Sequence, residues 1–377
     1  MAHKERASWE QKLTPFLRNK LAFLKEKYGE KSREHLAIAR QYLIDKRERE
    51  VDYKAERSRH YEADMTAAIE GLPAIGIERL YRRVGLVELT TICLARCRWC
   101  LRANYGTFTL TEDEIVATAK YFGNDRNRDD IRELLITGGD PFLLPDLVEF
   151  TIETMRKYAP NIQIFRVASR LFTQEPKRIN EKMLRVLRPR EGARIEVGTQ
   201  INHDIELWEE TRAAYKKIRD LGITIYNQQI LLRGVNDDLD TLVRLYNGLR
   251  EIGIEAHYMF HCCPIKGMSH HRTSVEEGLD LIKGLTSSGQ ISGRCKPMYT
   301  AMTDIGKVTL YEGVILDKKN DMILLQTKYL AEDRKRWNPA WNVPEAAYID
   351  DDGCLRVWYK DGIVHDRSWP TTAFFNG

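Results

Sequence analysis

Strand-like and helix-like segments alternate along most of this chain. From about residue 83, apolar or β-branched runs recur roughly every thirty residues, and each is followed by an amphipathic segment. Repeated right-handed strand–helix–strand connections leave a parallel sheet, which is either a barrel or an open doubly wound sheet. The sequence therefore predicts an α/β fold. The strand candidates are 85–93, 133–139, 162–170, 194–202, 224–232, 254–262 and 296–302, and the helix candidates between them are 112–122, 145–158, 180–187, 205–221, 239–252 and 274–288.

Two flanking regions do not follow this alternation. Residues 1–80 carry apolar residues at helical spacing among many charges, which predicts a helical N-terminal extension. Residues 308–377 contain short strand-like pieces, which predict a small β extension that covers the sheet. The central domain is accordingly predicted over 81–307.

Three cysteines lie in one short loop after the first central strand. Cys93, Cys97 and Cys100 have the spacing C-x3-C-x2-C. Three thiolates can bind three irons of a four-iron cluster and leave the fourth iron open to a small ligand. A structural zinc site is a weaker interpretation, because it takes four ligands, commonly as two close pairs, and no second pair follows. Buried structural thiols are weaker still.

Composition excludes several classes of protein. No apolar stretch has the length of a membrane helix, and the first residues contain no apolar signal core. A net charge of +4 on 377 residues gives no argument for nucleic-acid binding. Seven cysteines, an odd number with three in one loop, do not suggest a disulfide framework. The sequence therefore fits a globular protein of the reducing cytoplasm, with no membrane or nucleic-acid partner.

Polar and glycine residues follow the strand ends, where the active sites of (β/α) barrels form. Gly138 and Gly139 end the second strand candidate and Asp140 follows it, while Ser169 and Arg170 end the third. Glycine lets the backbone approach a ligand closely. A strand-ending turn alone would explain these glycines, but the cysteine loop at the preceding strand end favours a ligand site.

Five segments together resemble one family, the lysine 2,3-aminomutases of the radical S-adenosylmethionine (SAM) enzymes. They are CLARCRWCLR, LLITGGD, GTQINHD, YNQQILLRGVND and HHRTS, in the order and spacing of that family. The similarity extends from about residue 83 to about residue 310. It implies a partial (β/α)6 barrel.

The resemblance implies a set of cofactors. SAM would chelate the open iron of a [4Fe-4S] cluster on the three cysteines and yield a 5'-deoxyadenosyl radical. The glycine-rich segment Gly138, Gly139 and Asp140 would meet the SAM amino group. Pyridoxal phosphate (PLP) would bind the substrate amine, so that nitrogen moves from Cα to Cβ. Further SAM contacts carried over from matching positions are Ser169, Gln200, His203 and Gln228.

The resemblance also implies partners and two catalytic residues. The family's PLP lysine matches Lys307, although only Gly306 remains of the glycine run that precedes it. Arg102 stands where the family binds the substrate carboxylate, as a guanidinium fork suits. The implied partners are a small amino acid, a one-electron reductant such as flavodoxin or ferredoxin, and other copies in a homo-oligomer.

Two positions argue against lysine as the substrate. The family holds the substrate's side-chain amine with two aspartates, and their places are taken here by Cys263 and Thr300. An ammonium in a low-dielectric site without a counter-charge is costly. We therefore expect a 2,3-aminomutase for an amino acid other than lysine. The alternatives are a radical SAM enzyme without PLP, acting as an epimerase, a dehydratase or a modifier of a peptide or protein lysine, and a non-catalytic metal-binding module.

Overall fold

A computed structural model describes residues 10–49, 76–100, 107–265, 267–339 and 341–362. The N-terminal part begins with two helices, α1 (Pro15–Tyr28) and α2 (Arg33–Tyr42), followed by a 3-10 turn at Lys46–Arg49. Side chains of Thr14 and Ser32 accept hydrogen bonds from the first turns of α1 and α2, respectively. Such caps satisfy backbone donors that have no partner within the helix.

Nine strands form the main sheet, and their order in the sheet is their order in the chain. Strands β2 to β8 are parallel, while β1 and β9 pair antiparallel at the two edges. The strands are β1 (Ile77–Glu78), β2 (Val84–Thr90), β3 (Glu133–Gly138), β4 (Ile164–Ala168), β5 (Arg194–Thr199), β6 (Thr224–Leu231), β7 (Ile254–His261), β8 (Met298–Thr303) and β9 (Gly306–Thr309).

The sheet curls around one cavity, because residues from each strand between β2 and β9 contribute to its wall. The predicted α/β fold and partial barrel are therefore confirmed. The connections carry helices α3 (Glu112–Phe122), α4 (Pro145–Tyr158), α5 (Leu171–Gln174), α6 (Glu181–Val186), α7 (Glu209–Arg219), α8 (Leu239–Glu251) and α9 (Val275–Ser287).

The hydrophobic core lies between the outer face of this sheet and its helices. Alternate strand residues such as Leu134 and Ile136 of β3 are fully buried there, with Ile115 and Phe122 of α3 and Ile152 of α4 in the same cluster. The opposite, inward face of the strands lines the cavity with a mixture of apolar and polar residues, such as Leu135 and Thr137 of β3. Core packing thus fixes the helices outside and leaves the interior for chemistry.

A second sheet follows the barrel. It contains β10 (Ile315–Lys319), β11 (Met322–Leu330), β12 (Ala347–Ile349) and β13 (Cys354–Lys360) in the order β10-β11-β13-β12, all antiparallel. Helix α10 (Ala331–Trp337) follows β11. The main sheet runs from Ile77 to Thr309 and so extends slightly past both limits of the predicted central domain; the three-domain division stays a prediction.

Within the described ranges, no helix is both long and apolar enough to span a bilayer.

Candidate active site

The interior of the barrel contains a cavity of about 470 Å³ at the carboxyl ends of the parallel strands. This volume is in the range of small-molecule and cofactor sites. Most residues predicted for the site contribute to its wall: Cys93, Cys97, Cys100, Gly138, Gly139, Asp140, Ser169, Gln200, Gln228, Cys263 and Lys307. His203 and Thr300 are not among the wall residues. Arg102 lies outside the described residues.

The cysteine loop follows β2, and its three cysteines line the cavity. The Lys12 ammonium donates a hydrogen bond to the Cys93 carbonyl at 2.6 Å, and the Cys100 N–H donates to the Cys97 carbonyl at 3.3 Å. Burial raises the pKa of the Cys93 thiol well above its usual value, and the nearby Cys100 and Asp140 raise it further. A buried thiol of this kind needs a nearby cation to become a thiolate, and an iron ion held by the three cysteines would supply that charge.

The donor set fits an iron–sulfur cluster. In the part of the chain that the structure describes, no group of three or more His, Cys, Asp or Glu side chains is arranged around a single ion position. Cluster cysteines each bind a different iron, so their sulfurs do not need to converge on one point. Three thiols on one cavity wall meet that requirement.

Two glycines join the end of β3 to the start of the cysteine loop. Gly138 has a φ of 113°, and a Cβ there would lie 2.2 Å from the Thr90 carbonyl oxygen. A Cβ at Gly139 would lie 2.3 Å from the Ile92 carbonyl oxygen. The Gly139 N–H donates to the Thr90 carbonyl, and the Asp140 N–H donates to the Ile92 carbonyl at 2.9 Å. Close backbone approach therefore explains both glycines without any ligand.

Asp140 connects the ends of β3 and β4. Its Oδ2 accepts hydrogen bonds from the Ser169 hydroxyl at 3.1 Å and from the Arg170 N–H at 2.9 Å, and its Oδ1 accepts from the Phe142 N–H at 3.1 Å. Burial raises the pKa of this carboxyl to about 6, although the hydrogen bonds oppose that rise. Both oxygens thus serve to fix neighbouring backbone and Ser169.

Arg170 lies at a strand end that the sequence singled out, but the sequence assigned it no role in the site. Its Nη1 donates to the Cys97 sulfur at 2.8 Å, and its Nη2 lies 3.0 Å from the Glu206 carboxylate. Burial lowers the pKa of the guanidinium, but Cys97, Tyr42 and Glu206 together hold it above its ordinary value. The sequence feature that points to Arg170 is its position directly after Ser169 at the end of a strand.

Lys307 lies on edge strand β9, and its half-buried side chain enters the cavity wall. Its ammonium nitrogen lies 5.0 Å from the ring centre of Tyr258 and 5.7 Å from that of Phe260. Burial lowers the pKa of the amine, and Glu78, another wall residue that sequence reasoning missed, partly opposes this. A desolvated amine among aromatic rings fits the attachment point of PLP.

Gly306, which precedes Lys307, has a φ of 104°. Its substitution by a residue with a side chain would be strained in that conformation. The Lys307 N–H also donates to the Tyr81 hydroxyl at 2.8 Å. The turn into β9 therefore needs this one glycine of the family's longer run.

The residues at the two former aspartate positions are neutral. Burial raises the pKa of Cys263 to about 12, so its thiol is protonated near neutral pH. Thr300 is fully buried, and its hydroxyl donates to the Met298 carbonyl at 3.3 Å. Neighbouring His261 uses both ring nitrogens, with the Tyr359 hydroxyl at 2.8 Å and the Thr273 carbonyl at 2.9 Å. His261 therefore has a structural role.

His203 caps a 3-10 turn instead of facing the cavity. Its Nδ1 accepts a hydrogen bond from the Ile205 N–H at 3.1 Å, and the turn spans Asp204–Glu206. Gln200, by contrast, contributes to the cavity wall, and its carbonyl accepts from Arg170 Nε at 3.1 Å.

The chain is similar in sequence to several known proteins. Residues 87–246 match the model of the Radical SAM superfamily. A homologue from Aquifex aeolicus is 32% identical over 255 residues, which cover 65% of this chain and 66% of the homologue. L-lysine 2,3-aminomutase of Acetoanaerobium sticklandii is 29% identical, with 67% of this chain and 61% of that enzyme covered.

Glutamate 2,3-aminomutase of Clostridioides difficile is also 29% identical, with 68% of this chain and 60% of that enzyme covered. The matched part of the chain therefore spans less than two thirds of the length of these relatives. Relatives with two different substrates match equally well, so overall similarity does not select a substrate.

Proposed function

Since this chain is a divergent member of the lysine 2,3-aminomutase family of radical SAM enzymes, we propose that it moves the α-amino group of an amino acid other than lysine to Cβ. Its family implies a [4Fe-4S] cluster and SAM. We assign the cluster to Cys93, Cys97 and Cys100 and PLP to Lys307. The proposed enzyme is cytoplasmic and takes electrons from flavodoxin or ferredoxin.

One observation carries the proposal: the three cysteines and Lys307 contribute to the wall of the same cavity. When bound there, SAM on the cluster supplies a hydrogen-abstracting radical, and PLP supplies a ring that delocalises an unpaired electron. The protein's part is to hold the reactants in one water-poor space and in a fixed orientation.

Several residues have roles in this space. The lowered pKa of Lys307 keeps more of its amine unprotonated, which is the form that attacks a carbonyl. We assign Arg102 to the substrate carboxylate, on the family resemblance alone. Ser169, Gln200 and Gln228 lie on the wall beside the cluster loop, where polar groups of SAM would meet them.

The proposed substrate has a neutral side chain. Cys263 contributes a protonated thiol to the wall, and Thr300 is a buried hydroxyl outside the wall. Neither can neutralise an ammonium, whereas an unpaired buried charge costs several kcal/mol. Glu78 is the one candidate counter-charge in the wall near Lys307 among the described residues.

The substrate assignment is tested by competition. Purified enzyme, reconstituted under anaerobic conditions, is given lysine and a panel of neutral amino acids, and β-amino products are detected by mass spectrometry. We expect neutral amino acids to be converted and lysine to be a poor substrate. Efficient conversion of lysine that is lost in Glu78→Gln would show that Glu78 has replaced the two aspartates.

The cofactor assignment is tested by absorbance. Lys307→Ala should lose the yellow chromophore that borohydride reduces, yet retain the iron–sulfur spectrum, because the two sites use different residues. Cys97→Ala should lose SAM cleavage, and Cys262→Ala, a buried cysteine outside the cavity wall, should retain it. Normal deoxyadenosine production by Cys97→Ala would refute the cluster assignment.

A second candidate is a radical SAM enzyme of the same family without PLP. The observation in its favour is the surroundings of Lys307. Among the described residues, Arg166 is the cation that lowers the pKa of this amine, and it is already paired with Glu133 at 2.8 Å and Glu196 at 2.9 Å. A phosphate group needs free donors. Protein that cleaves SAM but binds no PLP after reconstitution would select this candidate.

A further inference from the structure

We propose that Arg170 is a positioning residue that sets the reduction potential of the cluster through Cys97, and that Glu206 and Gln41 hold its guanidinium in place. This inference rests on the proposed ligation of the cluster by Cys93, Cys97 and Cys100. It concerns the electron-accepting step, which precedes any chemistry on the substrate.

The guanidinium of Arg170 makes hydrogen bonds through all three of its nitrogens. Nη1 donates to the Cys97 sulfur at 2.8 Å and Nε to the Gln200 carbonyl at 3.1 Å. Nη2 donates to Glu206 Oε2 at 3.0 Å and to Gln41 Oε1 at 2.5 Å. These partners come from the cysteine loop, the end of β5, the turn after it and helix α2, so the group is fixed from four directions.

Two aromatic rings complete the surroundings of this cation. The guanidinium carbon lies 5.1 Å from the ring centres of both Tyr42 and Trp99. Arg170 is only 8% exposed. Aromatic faces stabilise a cation, and the exclusion of water leaves its charge weakly screened.

The partners of Arg170 are themselves held. Glu206 Oε1 accepts hydrogen bonds from the backbone N–H groups of Asn202 at 2.9 Å and His203 at 3.0 Å. Gln41 Nε2 donates to Glu206 Oε1 at 3.2 Å and to the Ala37 carbonyl at 2.8 Å. The guanidinium therefore has one position relative to the sulfur, which gives the N-terminal helix α2 a part in the cluster environment.

The charges near the cluster have opposite expected effects. A reduced cluster carries one more negative charge than an oxidised one, so a fixed cation beside a ligating sulfur favours reduction. A hydrogen bond to that sulfur acts in the same direction. The carboxylate of Glu206 opposes it. A residue that merely filled space would not give opposite signs for Arg170 and Glu206.

The test compares four full-length variants after anaerobic reconstitution: Arg170→Gln, Arg170→Lys, Glu206→Gln and Arg244→Gln. Arg244 is a matched control. It pairs at 3.0 Å with Asp204, which lies in the same 3-10 turn as Glu206, but Arg244 is 48% exposed, so water screens its charge. Iron and sulfide content are measured first. The ratio of reduced to oxidised cluster is then followed by visible absorbance and electron paramagnetic resonance at fixed potentials.

We expect Arg170→Gln to lower this ratio about tenfold at a given potential, which is ~59 mV for one electron. Arg170→Lys should restore part of the loss, because it keeps the charge without the fork. Glu206→Gln should raise the ratio, and Arg244→Gln should leave it unchanged.

Three results distinguish a failure of this inference from a failure of the proposed function. Equal potentials in wild type, Arg170→Gln and Glu206→Gln, or shifts of the same sign, would overturn the role of Arg170. If Arg170→Gln takes up no iron, Glu206→Gln decides alone, and an unchanged or lowered ratio overturns the inference. Wild-type protein that assembles no cluster would instead refute the proposed function.

Discussion

At the scale of residues, the closest approach in the site is between backbone atoms. Gly138 and Gly139 let the end of β3 contact the carbonyls of Thr90 and Ile92, immediately before Cys93. The position of the first cysteine therefore depends on two residues without side chains. The sequence pattern selected these glycines as a ligand contact, whereas the structure gives them a packing reason as well.

Gly138→Ala should destabilise the fold and reduce cluster loading. The added Cβ would meet the Thr90 carbonyl at 2.2 Å, and alanine is also disfavoured at a φ of 113°. The conformational cost alone is about 1–2 kcal/mol. The free energy of unfolding in urea and the iron content after reconstitution measure the two effects.

Gly192→Ala is the matched control for this change. Gly192 has a positive φ of 71°, but no atom lies within 4 Å of the position of its Cβ. It should lose only the conformational term and keep full iron content. Equal effects of the two substitutions on iron content would show that the contact with Thr90 is unimportant for the cysteine loop.

The location of a site residue was predictable where it follows from residue type, from local spacing or, for Lys307, from the family resemblance. The cysteine loop, the strand-end glycines and Lys307 all reached the cavity wall. His203 and Thr300 did not, because a hydrogen bond to the Ile205 N–H in one case and depth within the sheet in the other fix their side chains elsewhere. Such partners depend on the assembled fold.

At the scale of elements, helix starts with strong local signals were predicted to the residue. Helix α3 begins after Thr111, which forms a capping box with Glu114, and α4 begins with Pro145. The helix predicted over 205–221 instead begins at Glu209. Glu206 accepts hydrogen bonds from the Asn202 and His203 N–H groups, and its stretch forms a separate 3-10 turn.

His261 connects two elements, since it lies on β7 and contacts Tyr359 of β13. Burial lowers the pKa of its imidazole to about 3. Below the histidine pKa of about 6.5 in the unfolded chain, the unfolded chain binds a proton that the folded chain excludes. Stability from this residue is thus complete above that pH and is lost as the pH falls toward 3.

Between pH 7 and pH 5, His261 should account for a loss of about 2 kcal/mol in the free energy of unfolding. His261→Gln should be less stable at pH 7 but should lose less on acidification. Urea unfolding at the two pH values measures both. Burial also lowers the pKa of His257. Its effect on the free energy of unfolding is present in wild type and in His261→Gln, so it cancels when the two proteins are compared. An identical loss in the variant would refute the assignment.

At the scale of the whole molecule, the N-terminal helices form part of the wall around the cysteine loop. Leu17, Leu24 and Tyr42 share a buried cluster with Ala95 of that loop. Arg98 of the loop is 1% exposed and pairs with Glu48, with Nε and Oε1 2.8 Å apart. The helical spacing of apolar residues predicted these helices but not what they cover.

Glu48→Gln should cost about 3–5 kcal/mol in the free energy of unfolding, because a buried guanidinium loses its carboxylate. Glu10→Gln is the matched control: Glu10 pairs with Arg96 of the same loop at 3.2 Å but is 82% exposed. That change should cost no more than about 1 kcal/mol. Similar unfolding midpoints in urea for both variants would contradict the importance of the buried pair.

The cavity wall includes both Lys12, before the first helix, and Lys307, on the ninth strand. A molecule that fills it contacts residues that are drawn from positions 12 to 307 of the chain, and it can bind well only when those parts are assembled together. By mass action, a ligand present at a hundred times its dissociation constant adds about 2.7 kcal/mol to the free energy of unfolding of the parts of the chain that it contacts. The melting temperature of the entire protein thus becomes a direct readout of occupancy, one that needs no turnover and no knowledge of the substrate in advance.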